Sequence, residues 1–259
     1  MNEENLIKYY NKFNEDKRLT RRRGQVEYIT TMKYIHNYLK ENDKIIEIGA
    51  GTGAYSITLA NEGYDVTAVE LVKHNLKQIE KKSKKVKTIL ANAINLKQIK
   101  DNTYDITLLF GPMYHLITKE EKIKALYEAK RITKKNGIIM IAYCMNDYAI
   151  IEHGFIDNNI LENIKNKEID NNYHITPKET DLYSRLTISE IDELNKLTNL
   201  ERIKIIATDG AANYIRKSLN KMNDETFNIF IDYHFKTCER LDLIGASTHT
   251  LDILRNTKN

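Results

Sequence analysis

From Lys44 to Gly53 the chain reads Lys44-Ile-Ile-Glu47-Ile-Gly49-Ala50-Gly51-Thr-Gly53, an apolar run with one acid that ends in three glycines at alternate positions. Such glycines carry no Cβ to hold a ligand off the backbone, and each can take positive φ. Ala54-Tyr-Ser-Ile57-Thr-Leu59-Ala60 then begins a helix, whose free N–H groups face whatever sits on the turn. A second acid, Glu70, closes the alternating stretch Tyr64-Asp-Val66-Thr-Ala68-Val69-Glu70. It follows Gly49 by about 20 positions, the spacing at which a second-strand carboxylate reaches ribose hydroxyls. The chemistry these residues suit is the holding of a nucleoside-containing cofactor.

Gly49-x-Gly51-x-x-Ala54 also satisfies the degenerate dinucleotide fingerprint, so the glycines alone leave NAD open. A bland reading, a turn that merely joins strand to helix, also accommodates them. Glu47 argues against a dinucleotide, because a carboxylate beside the turn repels a pyrophosphate and attracts a ligand bearing an ammonium and a sulfonium. S-adenosylmethionine has both cations, an adenosine and no phosphate. With Glu47-Ile-Gly49-Ala-Gly51-Thr-Gly53 in the place of the motif acid-x-Gly-x-Gly-x-Gly, the chain resembles the class I, seven-stranded S-adenosylmethionine-dependent methyltransferases.

The resemblance implies how the remaining elements position that cofactor. Val86–Ala93 is similar to the family's third strand, whose end meets the adenine; Asn92 stands where many relatives carry aspartate, and its carbonyl can still accept a hydrogen bond. Ala50, Leu71, Ala93 and Phe110 are expected to complete the cofactor site with Glu47, Gly49, Gly51, Gly53 and Glu70. Tyr104–Phe110 is similar to the fourth strand. Thr118-Lys-Glu-Glu121 is a capping box, opening a helix with Ile123, Leu126, Ala129 and Ile132 on one side. Asn136-Gly137 is expected to stop it before a fully apolar fifth strand, Ile138–Tyr143. Strands alternating with helices give a parallel sheet with right-handed crossovers, and its ligands sit beyond the strands' carboxyl ends.

Composition bounds the alternatives. The 259 residues suffice for one α/β domain with a small cap, and no apolar run is long enough to span a bilayer. Met1-Asn-Glu-Glu-Asn lacks a secretory or transit pattern, and two cysteines, Cys144 and Cys238, read as reduced residues of a cytoplasmic protein. No Cys/His cluster has zinc spacing, so no metal is expected. A net charge of +4 is too mild to imply nucleic acid.

The parts that would touch substrate flank this core. Leu6, Ile7, Tyr10 and Phe13 form one face of a short helix, and Tyr28, Met32, Ile35 and Leu39 recur at helical spacing in the next segment. In the family a helix here folds over the cofactor as a lid, which implies residues 1–40 as a lid on a methyltransferase domain of residues 41–259, with Tyr10 at the cofactor. Between the helices lies Lys17-Arg18-Leu-Thr-Arg21-Arg22-Arg23. The resemblance implies that a basic residue there holds the methionine carboxylate; an arginine fork suits it, with Arg23 and then Arg22 as the candidates. A solvated basic loop and an RNA-contacting arm are the alternatives.

Phe110-Gly111-Pro112-Met113-Tyr114-His115 occupies the position of the Asn/Asp-Pro-Pro-Tyr motif of amino-group methyltransferases. Gly111 has no side chain to accept a hydrogen from a nitrogen, which argues against base methylation. Tyr114 and His115 remain the catalytic candidates, His115 as a base or else as a packing residue. Cap insertions are expected at about 146–186 and 210–243, the first ending in a short strand, Thr180–Leu186. Aromatic residues of the caps are expected to wall a small-molecule pocket, or else to pack as ordinary core. Leu200–Ala207 suits the sixth strand, and Ser247–Leu254 alternates as an antiparallel edge strand. The expectation is an α/β fold with a seven-stranded, mostly parallel twisted sheet flanked by helices, an antiparallel last strand, an N-terminal lid and insertions after strands five and six. Its activity would be methyl transfer from S-adenosylmethionine to an oxygen or nitrogen of a small molecule. An RNA or protein methyltransferase, with lysines 81, 82, 84, 85 and 87 as a basic stripe, and a non-catalytic cofactor-binding module are the rivals.

Overall fold

The computed structural model describes residues 3–12, 19 and 21–257. Helices α1 (Glu3–Lys12) and α2 (Arg22–His36) precede strand β1 (Lys44–Ile48). Then follow α3 (Ala54–Asn61), β2 (Asp65–Glu70), α4 (Lys73–Lys82), β3 (Lys87–Leu90), β4 (Tyr104–Leu109), α5 (Pro112–His115), α6 (Lys119–Ile132) and β5 (Thr133–Cys144). The first insertion contains α7 (Asn146–Ala149), a π-helical turn (Ile150–Ile156) and α8 (Ile160–Lys165). The chain continues through α9 (Ile188–Thr198), β6 (Glu201–Ala207), α10 (Arg216–Leu219), α11 (Asp224–Thr237), α12 (Leu241–Ile244) and β7 (His249–Arg255).

One sheet takes the order β3-β2-β1-β4-β5-β7-β6, parallel except for β7, which runs antiparallel to both neighbours. β1 lies between β2 and β4, and its successive side chains enter opposite cores. Ile46 and Ile48 pack with Leu126 and Ala129 of α6 and Ile191 and Leu194 of α9. Ile45 packs with Ile35 of α2, Leu59 of α3 and Ile79 of α4. Burial on both faces explains why this strand is almost wholly apolar.

Three expectations need correction. The last strand is not at the edge: β7 lies between β5 and β6, and Thr250–Leu254 are all buried. The polar residue of its alternation, Asp252, faces a second core, where Arg202 Nε and Nη2 donate to it at 2.6 and 2.9 Å and Asn195 Nδ2 at 2.6 Å. Thr180–Leu186 forms no strand; only Leu186 makes a bridge, to Met145. Its backbone bonds run to two elements, Ser184 N to Tyr114 O and Leu186 N to Cys144 O, so no ladder develops. Helix α6 ends at Ile132, four residues before the expected stop, and Thr133 already pairs with Tyr104 of β4. The capping box is as read, with Thr118 Oγ1 accepting from Glu121 N and Glu121 closing back on Thr118 N.

Aromatic residues of the second insertion also behave differently from a pocket wall. Phe227 is buried with Val26, Ala212 and Leu219, and Phe230 packs beside them, so they fasten α11 to α2. In the first insertion Phe155 is exposed. Phe13, Lys17 and Arg18 lie outside the described residues.

Candidate functional site

The glycine turn adopts the geometry its composition demands. Gly49, Gly51 and Gly53 have φ of 82°, 55° and 86°. A Cβ on Gly49 would stand 2.2 Å from the Phe110 carbonyl oxygen, so β1 and β4 approach here as only glycine permits. Gly53 is the N-cap of α3 and offers no side chain to it. Glu47 does so instead, from the preceding strand: one carboxylate oxygen accepts from Ser56 N at 2.9 Å and from Ser56 Oγ. Glu70 ties the turn to the next one, accepting from Gly51 N and Val72 N, both at 2.8 Å.

Both acids are buried. Burial pushes Glu47 up to about 7 against the pull of its Ser56 hydrogen bonds, and also raises Glu70. Among the described residues neither carboxylate has a cationic partner, an arrangement that suits a ligand bringing positive charge or hydroxyl donors.

A cavity of about 260 Å³ extends from this turn beyond the carboxyl ends of the strands. Its lining includes Glu47, Gly49, Ala50, Gly51, Glu70, Leu71, Asn92, Ala93 and Phe110. It also includes Tyr10 from α1 and Tyr114 and His115 from α5. Gly53 is left outside the lining, as the residue that starts α3. Asn92 has its carbonyl on Ile94 N at 3.1 Å and its amide on Glu3 of α1 at 2.5 Å.

Arg22 and Arg23 do not line this cavity. Arg22 turns toward α11, where it donates to Asp224 at 2.6 Å and lies 4.5 Å from the centre of the Phe227 ring. Arg23 lines a neighbouring cavity and donates to Asn213 Oδ1 at 3.1 Å. His115 is buried with both ring nitrogens engaged, Nδ1 with the Leu182 carbonyl at 2.7 Å and Nε2 with Tyr10 Oη at 2.9 Å. Burial holds its pKa below the usual imidazole value. A neutral ring that donates from Nδ1 and accepts at Nε2 ties α1 to the loop before α9, and no lone pair is left for a substrate proton.

Of the two histidines that line this cavity, His249, at the start of β7, is the one with a ring nitrogen to spare. Its Nδ1 lies 2.9 Å from Asp209 Oδ2 and 3.8 Å from Glu27 Oε2, and Nε2 has no hydrogen bond among the described residues. Asp209 also accepts from Ser247 Oγ at 2.7 Å, His249 N at 3.0 Å and Asn213 Nδ2 at 3.1 Å. Burial opposes a charge on His249, but Cys144, Glu27 and Asp209 outweigh it and hold its pKa well above the usual value. One ligating atom from each of Glu27, Asp209 and His249 falls within 4.8 Å, a grouping that could hold a metal ion and that residues this far apart in sequence did not suggest. The donors already surrounding Asp209 suit a hydrogen-bonded ion pair better.

Glu27, Cys144, Tyr183 and His249 line both cavities and therefore mark where they meet. Aromatic rings gather there: Tyr114 lies 5.5 Å from His249, and Tyr183 lies 5.2 Å from His115, between ring centres.

The family model for a methyltransferase domain matches residues 46–141. The YqeM protein of Bacillus subtilis is 28% identical over 111 residues, 42% of this chain and 45% of that protein. A demethylmenaquinone methyltransferase of Paenarthrobacter aurescens is 34% identical over 105 residues, 40% of each chain. The match thus spans less than half the length of these curated relatives. In fold, a SAM-dependent methyltransferase of Methanosarcina mazei superposes with a TM-score of 0.59 at 18% identity, over 86% of this chain and 96% of that one.

Proposed function

We propose that this chain, which carries a class I S-adenosylmethionine-dependent methyltransferase domain, transfers a methyl group from that cofactor to an oxygen or nitrogen of a small molecule by in-line displacement. The observation that carries this reading is the meeting of two cavities at Glu27, Cys144, Tyr183 and His249, one built around the glycine turn and the other leading away from it. The residues present fit the cofactor. Glu47 supplies negative charge beside the glycine turn, Glu70 has carboxylate lone pairs for ribose hydroxyls, and Leu71, Ala93 and Phe110 give the apolar walls an adenine needs. Asn92 stands at the adenine end with its carbonyl directed to Ile94 N.

When bound, the sulfonium supplies an activated methyl group, and the electrons of the broken carbon–sulfur bond return to sulfur. The protein's task is alignment, which contributes up to about 7–11 kcal/mol when two reactants are held in line. Tyr114 and Tyr183 wall the junction and keep water from it. His115 acts there by position, through Tyr10 and Leu182, rather than by taking a proton. Of the ionisable groups at the junction, the Glu27 carboxylate is the one to receive a proton from the nucleophile, with the His249 cation beside it.

The substrate's size argues for a metabolite. The second cavity is also about 260 Å³, and none of the lysines at 81, 82, 84, 85 and 87 lines either cavity. Calorimetry with S-adenosylmethionine, followed by a screen for S-adenosylhomocysteine release over fractionated small-molecule extracts, tests the proposal. Binding with release supports it. Binding without release from any fraction favours a regulatory module, and release only with tRNA or rRNA favours the nucleic-acid reading.

A further inference from the structure

Two arginines of the second cavity have no anionic partner among the described residues. Six arginines that are partly buried invite comparison. Arg22 meets Asp224, Arg131 meets Glu128 and Asp101, Arg202 meets Asp252, and Arg216 meets Glu152. Arg23 and Arg185 are the two that line the cavity, and neither has a carboxylate partner among the described residues. Among the described residues the Arg23 side chain bonds only a neutral amide, Asn213 Oδ1. The Arg185 side chain makes no hydrogen bond among the described residues; its guanidinium carbon stands 6.0 Å from the centre of the Tyr183 ring.

Leaving a guanidinium half-desolvated and unpaired is costly, and the remaining four show that this fold otherwise avoids it. The planar fork matches a carboxylate or phosphate with two parallel hydrogen bonds. Away from the junction, the cavity lining offers these two arginines no carboxylate. Glu27 is its one carboxylate, and it lies at the junction beside His249. The charge of His249 at that junction is already met by Asp209 at 2.9 Å, which leaves the two arginines as the cavity's unmatched cations. Asn213 links the two ends, accepting from Arg23 and donating to Asp209 at 3.1 Å.

We infer that the methyl acceptor is a small anion whose carboxylate or phosphate is held by Arg23 and Arg185, with its nucleophilic atom directed to the junction lined by Cys144, Glu27 and His249. This rests on the methyltransferase reading and narrows it to a class of substrate. It also gives Arg23 a partner other than the cofactor's methionine carboxylate.

The test uses the full chain saturated with S-adenosylhomocysteine and four probes: benzoate, phenyl phosphate, and their uncharged counterparts benzamide and phenol. Binding of S-adenosylmethionine by the unmodified protein, without probes, is measured first; failure there strikes the methyltransferase reading and is scored separately. Calorimetry should then show at least one anion binding about tenfold or more tightly than its neutral counterpart, as charged hydrogen bonds predict. Preference for benzoate over phenyl phosphate, or the reverse, identifies which oxyanion the cavity takes. Arg185→Gln and Arg23→Gln should each remove most of that preference while cofactor affinity stays within about twofold, which also reports that the variants fold. Equal binding of charged and neutral probes, or no binding of any, overturns the inference. So does a preference that survives in the doubly substituted protein. Loss of cofactor affinity in Arg23→Gln with anion binding intact overturns it too, returning that arginine to the cofactor.

Discussion

Asp209 and His249 face each other across the β6–β7 pairing, with Oδ2 and Nδ1 2.9 Å apart although 40 positions separate them in sequence. The pair is an ion pair in which each partner shifts the other. Burial works against both charges, but His249 and its neighbours hold Asp209 below the usual carboxylate range, and His249 is held well above the usual imidazole value. The stability His249 contributes is complete below its unfolded pKa and is lost as pH rises through its raised folded value. That of Asp209 is present above about 4 and is lost as pH falls through its lowered folded value. The pair should therefore support the fold fully across pH 5 to 6, weakening toward alkali as His249 loses its proton and toward strong acid as Asp209 gains one. Asp209→Asn should cost about 3–5 kcal/mol at pH 6, because it strands a buried cation. Denaturant melts from pH 5 to 9 would check this; equal stability of the variant and the parent at pH 6 would sink it.

Glu47 joins two functions that substitution can separate. As the acceptor for Ser56 N it caps α3, and in the function proposed above its buried carboxylate offers charge to the cofactor. Glu47→Ala should lose both, with about 1–2 kcal/mol of stability from the cap alone. Glu47→Gln keeps an acceptor oxygen and removes the charge, so it should retain most of that stability and still bind S-adenosylmethionine at least about tenfold more weakly. Since burial pushes Glu47 up to about 7, cofactor affinity of the parent should rise between pH 6 and 8 as the carboxylate ionises, and the glutamine variant should lose that slope. Isothermal titration at three pH values decides it, and an unchanged slope in Glu47→Gln would refute the assignment.

What the sequence disclosed was local. The three glycines, the acid before them and Glu70 lie within one strand-turn-helix-strand unit, where spacing alone constrains geometry. Thr118 and Glu121 were readable for the same reason. His249 and Asp209 were not, since their meeting depends on the register Ala207↔Thr250 in an antiparallel pair whose place in the sheet the sequence left open. Arg185 was invisible too: its loop has no periodicity, and backbone bonds to Tyr114 and Cys144 fix its path. Phe227 and Phe230 stayed open between pocket wall and packed core, because helical spacing of aromatics is the same whether the face meets a pocket or another helix. His115 lines the cavity, but a residue type cannot show that Leu182 and Tyr10 occupy both its nitrogens.

Gly49 should tolerate nothing larger. A methyl group there would meet the Phe110 carbonyl oxygen at 2.2 Å and Pro112 Cδ at 2.4 Å, on a residue with φ of 82°. Gly49→Ala is expected to cost at least about 2 kcal/mol in stability and to abolish cofactor binding, since β1 and β4 must part. Gly245→Ala is the control, with φ of −61° and no atom near the added methyl, and should stay within about 0.5 kcal/mol of the parent. Thermal melts with and without S-adenosylhomocysteine compare the two. A Gly49→Ala protein that still gains stability from the ligand would mean the turn is not the cofactor's seat.

The hydrogen bond from Tyr10 Oη to His115 Nε2, 2.9 Å long, fastens α1 to α5 at the cavity beside the glycine turn, and Glu3 on the same helix takes the Asn92 amide at 2.5 Å. One neutral bond of this kind is worth about 0.5–1.5 kcal/mol, which sets the size of the effect. Tyr10→Phe keeps the ring against His115 and deletes the bond. It should raise amide exchange across residues 3–12 and weaken S-adenosylmethionine binding by about 2- to 10-fold, while global stability moves by less than about 1 kcal/mol. His115→Ala should act more strongly, because it also frees the Leu182 carbonyl and with it the loop bearing Tyr183 and Arg185. Exchange measured on the full chain, with and without S-adenosylhomocysteine, reads both variants. If the Tyr10→Phe helix exchanges like the parent's in both states, α1 is held by other contacts and the clasp does not govern access to the cavity.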